Sequence, residues 1–156
     1  MCVMCQIKFG RLDVTKDLFI GVDVGTTAVK AAAYTKTGVL VVSARRSVHL
    51  HRPKDGFCEL PMDQLWDSVA ACLEEVASGI DKAQLRSIGV CGQGDGLWML
   101  DSQMQPVRNA ILWNDARASH YVQDWVDNGI SDKISQASRT AIWPGTAGAA
   151  LAWVQD

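Results

Sequence analysis

No stretch of the chain stays apolar for the roughly 18 residues that a bilayer-spanning helix needs, so no membrane partner is expected. An excess of one charge is missing too: 15 Lys and Arg stand against 17 Asp and Glu, a net charge of -2. A nucleic-acid-binding face needs a basic stripe, and the sequence shows none. Residues 1–17 hold no sustained apolar segment of the secretory kind. The five cysteines form no paired framework. Cys58, Cys72 and Cys91 sit in or beside apolar stretches, where a reduced thiol behaves as a small hydrophobe. Cys2 and Cys5 make a lone Cys-x-x-Cys, without the second pair or nearby histidine that would favour a metal or redox site. A reducing, cytoplasmic setting is the expectation. His49, His51 and His120 lack metal-ligand spacing, and the Gly-Lys-Ser/Thr of a Walker loop is absent.

What is present suits one globular domain. Of the 156 residues, 48% are apolar and 21% charged, close to the usual soluble proportions. Residues 1–17 show no period and read as an extension. Leu18 to Asp23 is a buried strand that ends in a carboxylate. Ala28 to Tyr34 and Val39 to Val48 follow as strands, joined by a hairpin turn with Gly38 where a positive φ belongs. His49 to Pro61 reads as a surface loop. Leu65, Trp66, Val69, Cys72, Leu73 and Val76 predict a helix over about 63–78, with Asp63 as N-cap and Gly79 as stop. Leu85 to Cys91 is a strand expected beside the first and parallel to it. Leu97 to Leu100 reads as another strand, and Ala110 to Trp113 as a short apolar run. A helix carrying Tyr121, Val122, Trp125 and Val126 stops at Asn128-Gly129. Ser131 caps a helix over 132–138, and a last helix starts near Thr146. Trp66, Trp98, Trp125 and Trp153 fall on apolar positions and are expected in the core. The β-β-β-α-β order is not the strict alternation of a dinucleotide-binding sheet. By analogy it is the opening of the α/β ribonuclease-H-like, actin-like fold.

Three segments carry chemistry. In Asp23-Val24-Gly25-Thr26-Thr27 a strand-end carboxylate meets a tight glycine turn and two hydroxyls. Successive N–H groups in such a turn form an anion-binding concavity, and a neighbouring carboxylate suits Mg²⁺, which keeps several waters and takes few protein ligands. Asp23 is the candidate Mg²⁺ residue, acting through water. The plainer alternative is an Asx-type hairpin turn. In Gly92-Gln93-Gly94-Asp95-Gly96 the glycines let backbone approach a ligand, and Gln93 and Asp95 offer partners for hydroxyls. The alternative is a flexible loop. In Trp113-Asn114-Asp115-Ala116-Arg117 the indole can cover the carbon side of a sugar, while Asp115 and Arg117 bind hydroxyls or each other. For Arg117 the structural role is favoured, since an acid near a helix start is favourable anyway.

Taken together, these segments resemble the FGGY carbohydrate kinases. Phe19 to Lys30 looks like the family's opening strand and turn, Gly92 to Asp101 like its substrate loop, and Leu112 to Arg117 like its Trp-x-Asp-x-Arg segment. The Gly-Gln-Gly-Asp-Gly variant looks most like the L-xylulose and erythritol kinase branch. The resemblance runs from Leu18 to Asp156. It implies transfer of the γ-phosphoryl of ATP, with Mg²⁺, to a hydroxyl of an open-chain sugar or polyol such as a pentulose or tetritol. It places Asp23, Gly25, Thr26 and Thr27 at phosphate and metal, and Gln93, Gly94, Asp95, Trp113 and Asp115 at the sugar. Family members are much longer. The resemblance puts their general-base aspartate and ATP-binding domain beyond residue 156, so no catalytic residue is expected in this chain. A truncated N-terminal domain, inactive alone and prone to self-association, is the expectation. The competing readings are a non-catalytic sugar- or phosphate-binding fragment and another actin-like ATPase or sugar-sensing regulator. The turn after Asp23 and the loop at Gln93 to Asp95 should open on one edge of one sheet.

Overall fold

The structure is a computed structural model that describes residues 17–156. The extension read over 1–17, with Cys2 and Cys5, lies outside the described residues except for Asp17, which pairs with Arg86. The elements are β1 Leu18–Val24, β2 Ala28–Thr35, β3 Leu40–Ser47, β4 Glu59–Leu60, α1 Met62–Ser78, β5 Leu85–Gly92, β6 Ala110–Ile111, α2 Ser119–Asp127, α3 Ile130–Ser138 and α4 Ala147–Gln155. One sheet has the order β3-β2-β1-β5. β1 and β2 pair antiparallel, as do β2 and β3. β5 returns parallel to β1, which a tight turn cannot achieve, so α1 forms the crossover. The expected meander and parallel return are both present.

The alternation of the first two strands explains the packing. Leu18, Ile20 and Val22 point to one face of β1, while Phe19, Gly21 and Asp23 point to the other. Val29, Ala31 and Ala33 of β2 share the buried face. Across it lies α1, with Cys72 and Val76 fully buried and Leu65, Val69 and Leu73 partly so. Ala31, Ala33 and Ala44 keep the strand surface low beneath the helix. Burial pushes the Cys72 thiol pKa up, and its Sγ lies 3.7 Å from the Val29 carbonyl. Gly38 adopts φ 82 in the hairpin turn, where its N–H donates to the Thr35 carbonyl at 2.9 Å.

Several details differ from the sequence reading. α1 starts at Met62 after Pro61, and Asp63 lies inside the first turn rather than capping it. There its charge still favours the helix dipole. Trp66 is 66% exposed and is not a core residue. It follows the inward Leu65 by one position, a rotation of about 100° around the helix. Trp98, Trp125 and Trp153 are half-buried. Leu97 to Leu100 makes only single bridges, Leu97 with Ile111 and Leu100 with Pro106. Residues 49–61 are not simply a surface loop. They contain β4, which pairs with β6, and Cys58 and Leu60 build a second small core with Ala110 and Leu112. α3 follows Gly129 at φ 68, so Ser131 sits within the helix instead of capping it. Cys91 is exposed, together with Ile88 and Val90 of the same strand.

The contrast along α1 can be measured. Val76→Ala should lower the unfolding free energy by about 2 kcal/mol. Trp66→Ala should change it by less than about 0.5 kcal/mol. Urea unfolding midpoints of the two variants check both.

Candidate functional site

Because β1 and β5 are parallel, their C-terminal ends reach one edge of the sheet, where sheets of this class place ligands. The turn after Asp23 and the loop after Gly92 therefore sit side by side, as the sequence predicts. The Gln93 N–H donates to the Val24 carbonyl at 3.1 Å, and the Thr26 hydroxyl donates to Gln93 Oε1 at 3.1 Å. The Gly25 N–H closes the turn on the Ala28 carbonyl at 3.1 Å. A Cβ on Gly25 would lie only 3.0 Å from that same oxygen, which explains the glycine. Thr27 is exposed, and its carbonyl accepts from the Val48 N–H at 3.0 Å.

Asp23 stands half-exposed at the end of β1, with Lys30 Nζ 3.2 Å from its Oδ2. The two residues face each other in the β1–β2 register. The sequence reading passed over Lys30 as a site residue. Its signal was there in the hairpin geometry, which sets it opposite the strand-end carboxylate.

Loop 92–96 is shaped by close approach. Gly96 has φ +77, and a Cβ there would lie 2.5 Å from the Ile111 carbonyl oxygen. Asp95 is left-handed at φ 56, exposed, and its carbonyl accepts from the Trp98 indole at 3.0 Å. Beside Gly94 there is open space. Gln93 Nε2 is buried without a partner. The Trp113 indole N–H donates to Thr26 Oγ1 at 3.3 Å, which brings the third motif to the same edge. Trp113 is itself held by a segment that sequence reasoning missed. The Trp143 indole donates to the Trp113 carbonyl at 3.1 Å, and the Gly145 carbonyl accepts from the Gly96 N–H at 3.0 Å. A side chain on Gly145 would run into the Trp113 backbone. Only the Pro144-Gly145 turn dipeptide marked this segment in the sequence.

Asp115 is placed differently from expectation. Its side chain is 0% exposed. Oδ2 accepts from the Cys58 N–H at 2.5 Å and from Arg117 Nη2 at 2.9 Å. Oδ1 accepts from the Arg117 N–H at 2.8 Å and from its Nε at 2.9 Å. A carboxylate has about four lone-pair sites, so Asp115 shows no place for a ligand hydroxyl. Arg117 takes the structural role that was favoured for it. Its Nη2 also reaches Glu59 Oε1 at 2.8 Å. Its guanidinium lies 4.1 Å from the Phe57 ring centroid and 4.8 Å from that of Trp153. Glu59 also accepts from Arg108 at 3.1 Å and Asn109 at 3.2 Å. Burial alone would raise the Glu59 pKa, but bonds from Arg117 and Asn109 and the charges of Arg117 and Arg108 outweigh it and hold it below the ordinary value. Sequence reasoning missed Glu59, because it sits in a stretch whose composition is that of a loop. The thiol of Cys58 is pushed up by burial, which keeps it inert.

A carboxylate with a depressed folded pKa adds stability above its unfolded pKa and loses it as pH falls. Unfolding free energy should therefore decline below about pH 4.3, the usual glutamate value, and the decline should be shallower in Glu59→Gln. Arg117→Gln should cost about 3 kcal/mol, since it strands buried carboxylates. Urea unfolding at a series of pH values measures both effects.

Comparisons with known proteins bear on the family and the fold. Residues 18–156 match the model of the FGGY family of carbohydrate kinases, N-terminal domain. The probable L-xylulose kinase of Haemophilus influenzae is 33% identical over 140 residues, which are 88% of this chain and 29% of that protein. The L-xylulose/3-keto-L-gulonate kinase of Escherichia coli is 31% identical, covering 88% of this chain and 28% of the relative. The crystal structure of gluconate kinase from Lactobacillus acidophilus superposes with a TM-score of 0.84 at 28% identity, over 90% of this chain and 28% of that one. The chain thus spans less than a third of the length of these relatives. Its mixed sheet and its likeness to these kinases identify the actin-like, ribonuclease-H-like α/β fold. By sequence match and by fold, the chain belongs to the FGGY family of carbohydrate kinases, within the N-terminal domain.

Proposed function

We propose that the chain supplies the phosphate turn and the sugar pocket of an ATP-dependent kinase acting on an open-chain sugar or polyol. One observation carries this reading: the turn at 24–27 and the loop at 92–96 share one sheet edge and are joined by the Thr26–Gln93 hydrogen bond. An anion at the turn and a hydroxyl at the loop would be neighbours there, which an in-line phosphoryl transfer requires. Thr26 and Thr27 offer N–H groups and hydroxyls to the terminal phosphates, and Gly25 shapes the turn that presents them, its own N–H being held by the Ala28 carbonyl. Lys30 adds an exposed cation.

Mg²⁺ fits Asp23 in one particular way. Among the described residues no group of three or more His, Cys, Asp or Glu could hold a metal. Asp23 is a single, half-exposed carboxylate, which suits an ion that keeps most of its waters and takes its other ligands from phosphate. Bound there, the ion would neutralise charge developing on the transferred group.

For the acceptor, Gln93 and Asp95 bind hydroxyls, Gly94 leaves room for the chain, and the Trp113 ring covers its carbon side. Asp115 enters this account as a positioning group that holds the 113–117 segment through Arg117. The substrates named for the relatives, L-xylulose, 3-keto-L-gulonate and gluconate, are polyhydroxylated and fit this donor set. We assign neither the base that takes the hydroxyl proton nor the adenosine contacts to residues 18–156.

The 156-residue chain by itself should therefore show no sugar-dependent turnover of ATP. A coupled ADP-release assay with Mg²⁺ and a panel of pentuloses and tetritols measures this. Sugar-dependent turnover that Asp23→Ala abolishes would overturn the assignment of the base elsewhere.

A further inference from the structure

We propose that the Thr26 hydroxyl is a coupling element, through which phosphate at the 24–27 turn changes how Gln93 and Trp113 are held at the sugar pocket. The proposal rests on the phosphate-turn and sugar-loop reading above. An indole N–H can only donate, so the contact of Trp113 with Thr26 Oγ1 at 3.3 Å makes the hydroxyl an acceptor there. The hydroxyl has a single hydrogen, and it points to Gln93 Oε1 at 3.1 Å. With the amide oxygen of Gln93 facing Thr26, the relay runs from Trp113 to Thr26 to Gln93.

Two further features make the relay responsive. Gln93 is tied to the strand end by its N–H on the Val24 carbonyl at 3.1 Å, so its backbone stays while its side chain can turn. Its Nε2 is buried with no partner, an arrangement that carries a desolvation cost until an acceptor arrives. A phosphate oxygen beside the turn accepts a charge-assisted hydrogen bond, stronger than one to a neutral amide. It takes the only hydrogen that the Thr26 hydroxyl has. Gln93 Oε1 then loses its donor, and the side chain must pair anew within the pocket. By linkage, a sugar that engages Gln93 alters phosphate affinity by the same factor.

The test is a titration of the ¹⁵N-labelled 156-residue chain with inorganic phosphate in the presence of Mg²⁺. Backbone amides of residues 24–27 report phosphate binding. The Trp113 indole, assigned among the six tryptophans by Trp113→Phe, and the Gln93 side-chain amide report the relay. In the wild-type chain all three sets should shift with one midpoint. In Thr26→Val the turn amides should still shift, while the indole and Gln93 responses are lost. Thr26→Ser should restore them. A role confined to stability would alter the starting spectrum but not abolish the response. Turn amides that shift while Trp113 and Gln93 stay still would overturn the coupling and leave the phosphate reading intact. Turn amides that never shift would overturn both.

Discussion

β1 and β5 run in the same direction for the length of β1, with Asp23 level with Cys91 and Val24 level with Gly92. The candidate site depends on that pairing. If β5 ran antiparallel, loop 92–96 would leave the sheet at the opposite end of β1, about 20 Å from the turn at the strand rise of 3.3 Å per residue. Neither loop has a claim on both phosphate and sugar alone. The crossover through α1 makes the parallel pairing possible, and the apolar face of Leu65, Val69, Cys72, Leu73 and Val76 fixes that crossover on the sheet.

Two ion pairs lie near this edge, and their energies separate their roles. Lys30 and Asp23 are both more than half exposed as side chains. Such a pair contributes about 0–1 kcal/mol, so either partner can be given up to a ligand at little cost. Arg117 and Asp115 have side chains 1% and 0% exposed, and breaking a pair of this kind costs about 3–5 kcal/mol. The first pair suits a group that exchanges partners during a reaction. The second suits a group that never does, and it holds the backbone from which Trp113 reaches Thr26. The aromatic faces of Phe57 and Trp153 extend the same clamp to α4.

Much of this was legible in the sequence, for identifiable reasons. The short apolar run Leu18 to Val22, ending at the Asp23 carboxylate, has one burial solution as a strand, and the helical stripe of Leu65 to Val76 has another. Two glycine-bearing loops at the ends of strands, the turn after Asp23 and the loop at Gln93 to Asp95, were expected from the sequence on one edge, and the structure brings Trp113 to that edge as well. The misses have physical causes as well. β4 and β6 are two-residue strands, too short to leave a period. Asp115 was read as a ligand group because the sequence does not show that Glu59, 56 positions earlier, shares its arginine. Trp66 was placed in the core by residue type, although its helical direction points outward. The grip of Trp143 and Gly145 on Trp113 is a backbone packing event, which leaves no side-chain pattern.

The two edges of the sheet are finished differently. β3 carries Arg45 and Arg46, and charged side chains are a usual guard against pairing with another strand. β5 has no charge or proline from Ile88 to Gly92, and Ile88 and Val90 are 49% and 71% exposed. Full burial of each such side chain is worth about 1.5–3 kcal/mol, and the described residues leave most of that unrealised. The same strand delivers Gln93 and Asp95 to the ligand edge. Ile88 and Val90 thus sit on the strand that ends in the proposed sugar loop, and any group packed on them would bear on how rigidly loop 92–96 is held.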